Sequence, residues 1–366
     1  MDSFTAADYE YMSRALRLAR RGLYTAHPNP RVGCVLVKDG QVVGEGWHRK
    51  TGEAHAEVAA LQAAGAEAAG ATAYVTLEPC SHQGKTPPCV DALIAAGVVH
   101  VVVAMVDPNA KVAGNGHSAL EDAGISVRVG LLQDEAAALN AGFLSRMQRG
   151  RPLLRLKIAA SLDGRTAKTS GESQWITGEA ARNDVQRLRA ASGAVMVGIG
   201  TVLADDPSLN VRSDDIDNGG MQPLRVVLDS SLQMPASARM LDLPGATIVF
   251  CTHDKNRKAL EAAGASVQLV AGQDKTTDLA VVMGKLADLE INDVLVEAGP
   301  TLAGSMLASG LVDELVIYQA PHIMGSESRG MFVTPGWQTI EQRLNLNIVD
   351  VRNIGTDLKI TARPER

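Results

Sequence analysis

Apolar residues recur at Met12, Ala15, Leu16, Ala19 and Leu23, the spacing of one helical face, behind a helix start at Thr5-Ala6-Ala7-Asp8. His27-Pro28-Asn29-Pro30 ends that helix. Val32 to Val37 is a short apolar run that turns at Lys38-Asp39-Gly40 and is answered by Gln41 to Gly46, which predicts a β-hairpin. His55 opens an alanine-rich helix to about Ala68, and Ala71 to Leu77 reads as a strand ending at Glu78-Pro79-Cys80. Cys89 begins another helix. Val98 to Val106 is almost continuously apolar, as in a strand covered on both faces, and Asp107-Pro108-Asn109 stops it. A short helix near Ser118 to Ala123, a strand at Ile125 to Val129 and one longer helix from Leu131 to Met147 complete a first α/β layer. The break falls near Arg149-Gly150-Arg151-Pro152, giving domains at 1–150 and 151–366.

The second half restarts the alternation. Leu153 to Ala159 predicts a strand that ends in the turn Ser161-Leu162-Asp163-Gly164, and Gly178 to Ala190 predicts a helix. Ala194 to Val197 is a strand entering Gly198-Ile199-Gly200-Thr201. Further strands are expected at Leu224 to Leu228, Thr247 to Phe250, Ser266 to Leu269, Val294 to Glu297, Leu315 to Gln319 and within Asn345 to Thr361. Asp214 to Met221, polar and glycine-containing, is expected to be a mobile loop. Glycine turns at strand ends aim N–H groups at anions, so phosphate binding is one reading and ordinary layer turns the other. Gly198-Ile199-Gly200 lacks the third glycine of the Rossmann fingerprint, so a dinucleotide fold here is of another kind.

Composition narrows the class. The 366 residues exceed one ordinary core, and 46% hydrophobic with 21% charged residues describe a soluble globular chain. Thirty-five basic against 41 acidic side chains leave a formal charge of −6 with no basic block, which argues against nucleic acid. Met1-Asp2-Ser3-Phe4 lacks the regions of a signal peptide, and no apolar run approaches the ~20 residues of a membrane span. Cys34 and Cys251 lie in apolar strand runs and read as reduced packing residues of a cytoplasmic protein.

The chemistry gathers at His55-Ala56-Glu57, Pro79-Cys80 and Cys89. One imidazole and two thiolates suit zinc, and three protein ligands leave a fourth position for water, whose pKa falls to about 7. Glu57, two residues past His55, is within reach to move protons without binding metal. A His-x-Glu segment followed by Pro-Cys and a second Cys is the zinc-deaminase signature. Eight residues separate the two cysteines here instead of two, bringing His82 and Lys85 to the site. The alternative is a closed structural zinc with His82 or Cys34 as fourth ligand, for which Glu57 would have no use.

The whole chain resembles the bifunctional riboflavin-biosynthesis deaminase–reductase family. The resemblance rests on His27-Pro28-Asn29-Pro30-Arg31-Val32-Gly33, His55-Ala56-Glu57, Thr76-Leu77-Glu78-Pro79-Cys80-Ser81-His82 and Gly84-Lys85-Thr86-Pro87-Pro88-Cys89. It continues through Ser161-Leu162-Asp163-Gly164, Trp175-Ile176-Thr177, Gly198-Ile199-Gly200-Thr201, Asp205-Asp206-Pro207 and Glu297-Ala298-Gly299-Pro300-Thr301-Leu302. It implies a cytidine-deaminase-like three-layer domain followed by a dihydrofolate-reductase-like α/β domain. It further implies zinc-dependent deamination of diaminohydroxyphosphoribosylaminopyrimidine, then NADPH-dependent reduction of the product's ribosyl group to ribityl.

By the same motifs, Glu57 is the catalytic acid–base, His55, Cys80 and Cys89 hold the metal, and Asn29, His48, His82 and Lys85 line the deaminase pocket, Lys85 on the substrate phosphate. Ala159, Trp175, Thr201, Asp205, Ser230 and the turn Gly299, Pro300, Thr301, Leu302, Ala303, Gly304, Ser305 match nucleotide positions. Ser173, Arg189, Leu209, Arg212 and Glu297 match substrate positions, the two arginines suiting a phosphate. Lys157 and Asp205 are candidates for proton movement. The expected partner is a small phosphoribosylated pyrimidine, with no nucleic acid or membrane, and the expected assembly is a homo-oligomer, dimer or tetramer. The rivals are a nucleoside or tRNA-editing deaminase with an unrelated α/β accessory domain, and a non-catalytic zinc-stabilised binding protein.

Overall fold

Thr5 caps the first helix by accepting the Asp8 N–H, while the Asp8 carboxylate accepts the Thr5 N–H, so both ends of that turn are satisfied. In the computed structural model, which describes residues 3–81, 87–109, 114–270, 272, 276–334 and 336–365, the chain divides into two compact units, Met1–Gly150 and Arg151–Arg366.

Unit 1 runs α1 (Ala6–Arg20), β1 (Gly33–Lys38), β2 (Gln41–Trp47), α2 (Ala56–Ala64), β3 (Thr72–Val75), α3 (Cys89–Ala95), β4 (His100–Val103), α4 (Asn115–Asp122), β5 (Ser126–Val129), α5 (Gln133–Leu139) and α6 (Ala141–Arg149). Its sheet has the order β2-β1-β3-β4-β5, antiparallel through the hairpin and β3, then parallel. Met12, Ala15, Leu16 and Ala19 of α1 pack one face with Val35, Tyr74 and Val102. Ala56, Ala60, Val90, Leu93 and Leu120 cover the other with Leu36, Val75 and Val101, which makes three layers. Cys34 belongs to this core, wholly buried in β1. The α2 backbone rests directly on the hairpin, because a Cβ on Gly46 would lie 2.3 Å from the Ala56 carbonyl oxygen. That close approach fixes the helix start carrying His55 and Glu57.

The single helix expected over Leu131 to Met147 is two, broken at Asn140. There φ is −112°, outside the helical region, and the side chain bonds the Arg31 backbone twice, at 2.8 Å and 2.9 Å. Tertiary pairing of one amide outweighs helical continuity.

Unit 2 runs β6 (Leu153–Ser161), β7 (Arg165–Ala167), α7 (Glu179–Ala190), β8 (Ala194–Gly198), α8 (Ile199–Asp205), β9 (Leu224–Leu228), β10 (Thr247–Cys251), α9 (Arg257–Ala262), β11 (Ala265–Leu269), α10 (Leu279–Asp288), β12 (Asp293–Glu297), α11 (Pro300–Ala308), β13 (Glu314–Ala320), β14 (Arg329–Gly330), β15 (Leu346–Ile354) and β16 (Asp357–Pro364). Nine strands form one sheet, β11-β10-β9-β8-β12-β6-β13-β16-β15. β11 through β13 are parallel and the last two antiparallel. Leu154, Leu156, Met196, Phe250 and Val294 centre the larger core, and Val195, Val227, Val249, Cys251 and Leu295 the opposite face. In the loop from Asp214 to Met221, Asp217 and Asn218 accept the N–H groups of Gly219 and Gly220, and Ile216 is buried. Among the described residues no helix is long and apolar enough to cross a membrane.

Candidate active sites

His55 is the N-cap of α2 and Cys89 the first residue of α3, so two of the three expected ligands enter from helix starts. Cys80 follows β3. His55 Nδ1 lies 3.2 Å from Cys89 Sγ and 3.5 Å from Cys80 Sγ, and the three donor atoms fall within 4.8 Å of one another. Zn–N and Zn–S bonds of ordinary length at a tetrahedral angle separate N from S by about 3.5 Å, so the donor set fits zinc. Cys80 Sγ accepts the Cys89 N–H at 3.4 Å, and the Val90 N–H donates to the Cys80 carbonyl at 3.2 Å. The Cys89 side chain, then His55 and the Cys89 N–H, drive the Cys80 thiol down to about 4 against burial. Cys89 is pushed up, by the bond to Cys80 and by burial. The bond to Cys80 raises His55.

Glu57, 3% exposed in the first turn of α2, has its carboxyl pushed up to about 7 by burial and then by the Cys80 charge. His48, also buried, places Nδ1 3.2 Å from the Ala54 carbonyl oxygen and Nε2 3.0 Å from Asn29 Nδ2. Ala54 therefore takes the imidazole proton at Nδ1, and Nε2 accepts from the Asn29 amide. Burial lowers the His48 pKa and keeps the ring neutral, and it meets the His55 ring edge-on at 5.4 Å. His82 and Lys85 lie outside the described residues.

In unit 2 a cleft of about 1270 Å³ opens at the carboxyl ends of β6, β8, β9 and β12. The order β8-β12-β6 is a topological switch: the chain leaves β6, builds outward from β8 to β11, and returns to insert β12 between them. Ligands of open α/β sheets bind at such points. The volume exceeds the ~300–1,000 Å³ of a single small-molecule site, leaving room for a dinucleotide beside a substrate. Ala159, Trp175, Thr201, Asp205 and Ser230 line it, as do Gly299, Pro300, Thr301, Leu302 and Ser305. Ala303 and Gly304 do not. Both are buried on the inner side of α11, and a Cβ on Gly304 would lie 1.8 Å from the Val333 carbonyl oxygen. Their side-chain positions pack against the fold, so any nucleotide contact there falls to the backbone.

Ser173, Arg189, Leu209, Arg212 and Glu297 share the cleft. Glu297 accepts Arg189 Nε at 2.6 Å and Nη2 at 3.0 Å, and Arg189 Nη1 donates to the Asn210 carbonyl at 3.1 Å. Lys157 Nζ stands 4.0 Å from Glu297, its pKa lowered by burial. Burial alone would raise Glu297; the Arg189 guanidinium, with Lys157 and Arg212, holds it at about 2 instead. Burial raises Asp205. Trp175 is 71% exposed, with the Arg182 guanidinium 4.8 Å over its ring. Arg182, Arg239, Thr277 and Arg329 also line the cleft and carried no sequence signal, since they come from separate elements joined only by the fold.

The family model described as the cytidine and deoxycytidylate deaminase zinc-binding region matches residues 5–105, and the RibD C-terminal domain matches residues 152–360. The riboflavin biosynthesis protein RibD of Escherichia coli (strain K12) is 50% identical over 360 residues, covering 96% of this chain and 98% of that one. That of Haemophilus influenzae is 45% identical over the full length of both. Among solved structures, Acinetobacter baumannii RibD (form 1) matches with TM-score 0.92 and 47% identity over 98% of this chain and 99% of that one. The Thermotoga maritima diaminohydroxyphosphoribosylaminopyrimidine deaminase/5-amino-6-(5-phosphoribosylamino)uracil reductase matches with TM-score 0.87 and 32% identity over the same shares.

Proposed function

The chain belongs to the RibD family of riboflavin-biosynthesis deaminase–reductases, and on that premise we propose that residues 1–150 carry the deaminase and 151–366 the reductase. The enzyme deaminates diaminohydroxyphosphoribosylaminopyrimidine with zinc, then reduces the ribosyl group of the product to ribityl with NADPH. A nucleoside or tRNA-editing deaminase with an unrelated accessory domain is not favoured, because the match to RibD proteins extends over both halves.

The observation that carries the first assignment is one nitrogen and two sulfurs within 4.8 Å beside a buried glutamate. When bound, zinc supplies a Lewis acid that makes a nucleophilic hydroxide available near neutral pH. Glu57 accepts a proton from the attacking water and delivers it to the departing amino nitrogen, so that ammonia leaves. Asn29 and His48, locked to each other and to Ala54, hold a fixed polar edge against the pyrimidine. In the reductase NADPH supplies the hydride. The α11 start at Gly299 to Leu302 offers N–H groups to its phosphates, Arg212 grips the substrate phosphate, and Arg189, engaged with Glu297, braces that wall. Lys157 and Asp205 are the groups available to move a proton to the opening sugar ring.

Cys80→Ser tests the metal assignment. Elemental analysis should fall from one zinc per chain to near none, and ammonia release should cease. Full zinc in that variant contradicts the ligand set.

The protein is further read as a cytoplasmic homo-oligomer. Its four cysteines form no disulfide, which suits a reducing compartment, and β15 leaves Ile348, Val349 and Val351 exposed along an edge strand of the large sheet. Sedimentation equilibrium should give at least twice the mass of one chain; a single-chain mass contradicts this.

A further inference from the structure

Glu78 is a buried acid that the deamination chemistry does not use, 5% exposed and two residues before Cys80. Its Oε2 accepts the N–H groups of Asp107 and Gly114, both at 3.1 Å. Its Oε1 accepts those of Gly116 at 3.0 Å and His117 at 3.2 Å. One carboxylate thus gathers four backbone donors, two of them from the first turn of α4, where unpaired N–H groups and the helix dipole both favour an anion.

The grip extends to the next residue. Gly116 stands so close to Pro79 that a Cβ would lie 2.2 Å from its carbonyl oxygen, and the Glu78 N–H donates to Met105 at 3.0 Å. On the far side, Cys80 is tied to the start of α3 through its sulfur and its carbonyl. Residues 78 to 80 therefore bridge two helix starts, and the sulfur hangs from the bridge.

We propose that Glu78 is a positioning residue for the deaminase, clamping the Glu78-Pro79-Cys80 segment to α4 so that the Cys80 sulfur meets His55 and Cys89. This rests on Cys80 being a zinc ligand. A metal ligand must be held to within about 0.5 Å, and a carboxylate saturated by charge-assisted bonds is a stiff tether. A glutamine would turn an NH2 group toward two of the four N–H donors and leave them unpaired.

The test loads the full-length protein with cobalt in place of zinc, because visible thiolate-to-cobalt absorption reports how the sulfurs are held. Glu78→Gln should shift those bands and weaken zinc binding by about 10–100-fold, as loss of outer-shell support does elsewhere. Ammonia release should fall through kcat with KM little changed, recover in part with excess zinc, and leave NADPH oxidation untouched. A variant with the parent's cobalt spectrum and zinc affinity, differing only in melting temperature, overturns the proposal. Absence of any thiolate band in the parent protein overturns the ligand assignment and this inference with it.

Should Glu78→Gln not fold, linkage decides in the parent protein. Coupling between metal and clamp is reciprocal, so zinc should slow amide exchange at Gly114, Gly116 and His117 by tenfold or more. Exchange there indifferent to zinc overturns the clamp.

Discussion

Glu297 is a partly buried carboxylate kept ionised by the cations around it, and that makes it a pH-sensitive strut. Its folded pKa of about 2 lies below the ordinary glutamate value near 4.3, so the stability it contributes is fully present above that ordinary value. It is lost as pH falls from about 4.5 through 2. Amide protection along β12 should therefore decline across that window in the parent protein and decline less steeply in Glu297→Gln; equal slopes contradict the assigned pairing. At this scale the clustering of His55, Cys80 and Cys89 was legible because His55-Ala56-Glu57 and Pro79-Cys80 are local motifs whose chemistry follows from residue type. The commitment of Arg189 to Glu297 was not, since it joins residues over a hundred positions apart.

Asn140 shows what an element inherits from its surroundings. Its side chain makes two bonds to the Arg31 backbone, two residues past the Asn29 that meets His48. Asn140→Ala removes two hydrogen bonds to the Arg31 backbone, each worth about 1–3 kcal/mol where the freed group is buried. Chemical unfolding should lose about 2–6 kcal/mol in the transition of unit 1, and the deaminase KM should rise as Asn29 loosens. An unchanged transition contradicts the bridging role. Periodicity found nearly every strand here, because buried parallel strands announce themselves as apolar runs. It read α5 and α6 as one helix because only a distant partner makes the break favourable. Within the Gly299 to Ser305 turn the helical period sends Ala303 and Gly304 inward, a placement that the motif match did not carry.

For the whole molecule, the alternation of helices and strands gave the two α/β units and their boundary, but not the order of nine strands. That order depends on which apolar faces meet, and it creates the switch point at which the reductase cleft opens. The central claim is that two chemically independent sites share one chain. Glu57→Gln preserves size and packing while removing the proton carrier, which should cost about 10²–10⁴ in rate at the zinc site alone. Arg212→Ala removes a charge from the cleft alone. The decisive measurement gives each full-length variant the aminopyrimidine and, separately, the deaminated intermediate, following ammonia release and NADPH oxidation as two signals. Glu57→Gln should release almost no ammonia yet oxidise NADPH with the intermediate at the parent rate, while Arg212→Ala should release ammonia normally and reduce poorly. Loss of both signals in either well-folded variant would mean a single shared site, and the account would be wrong.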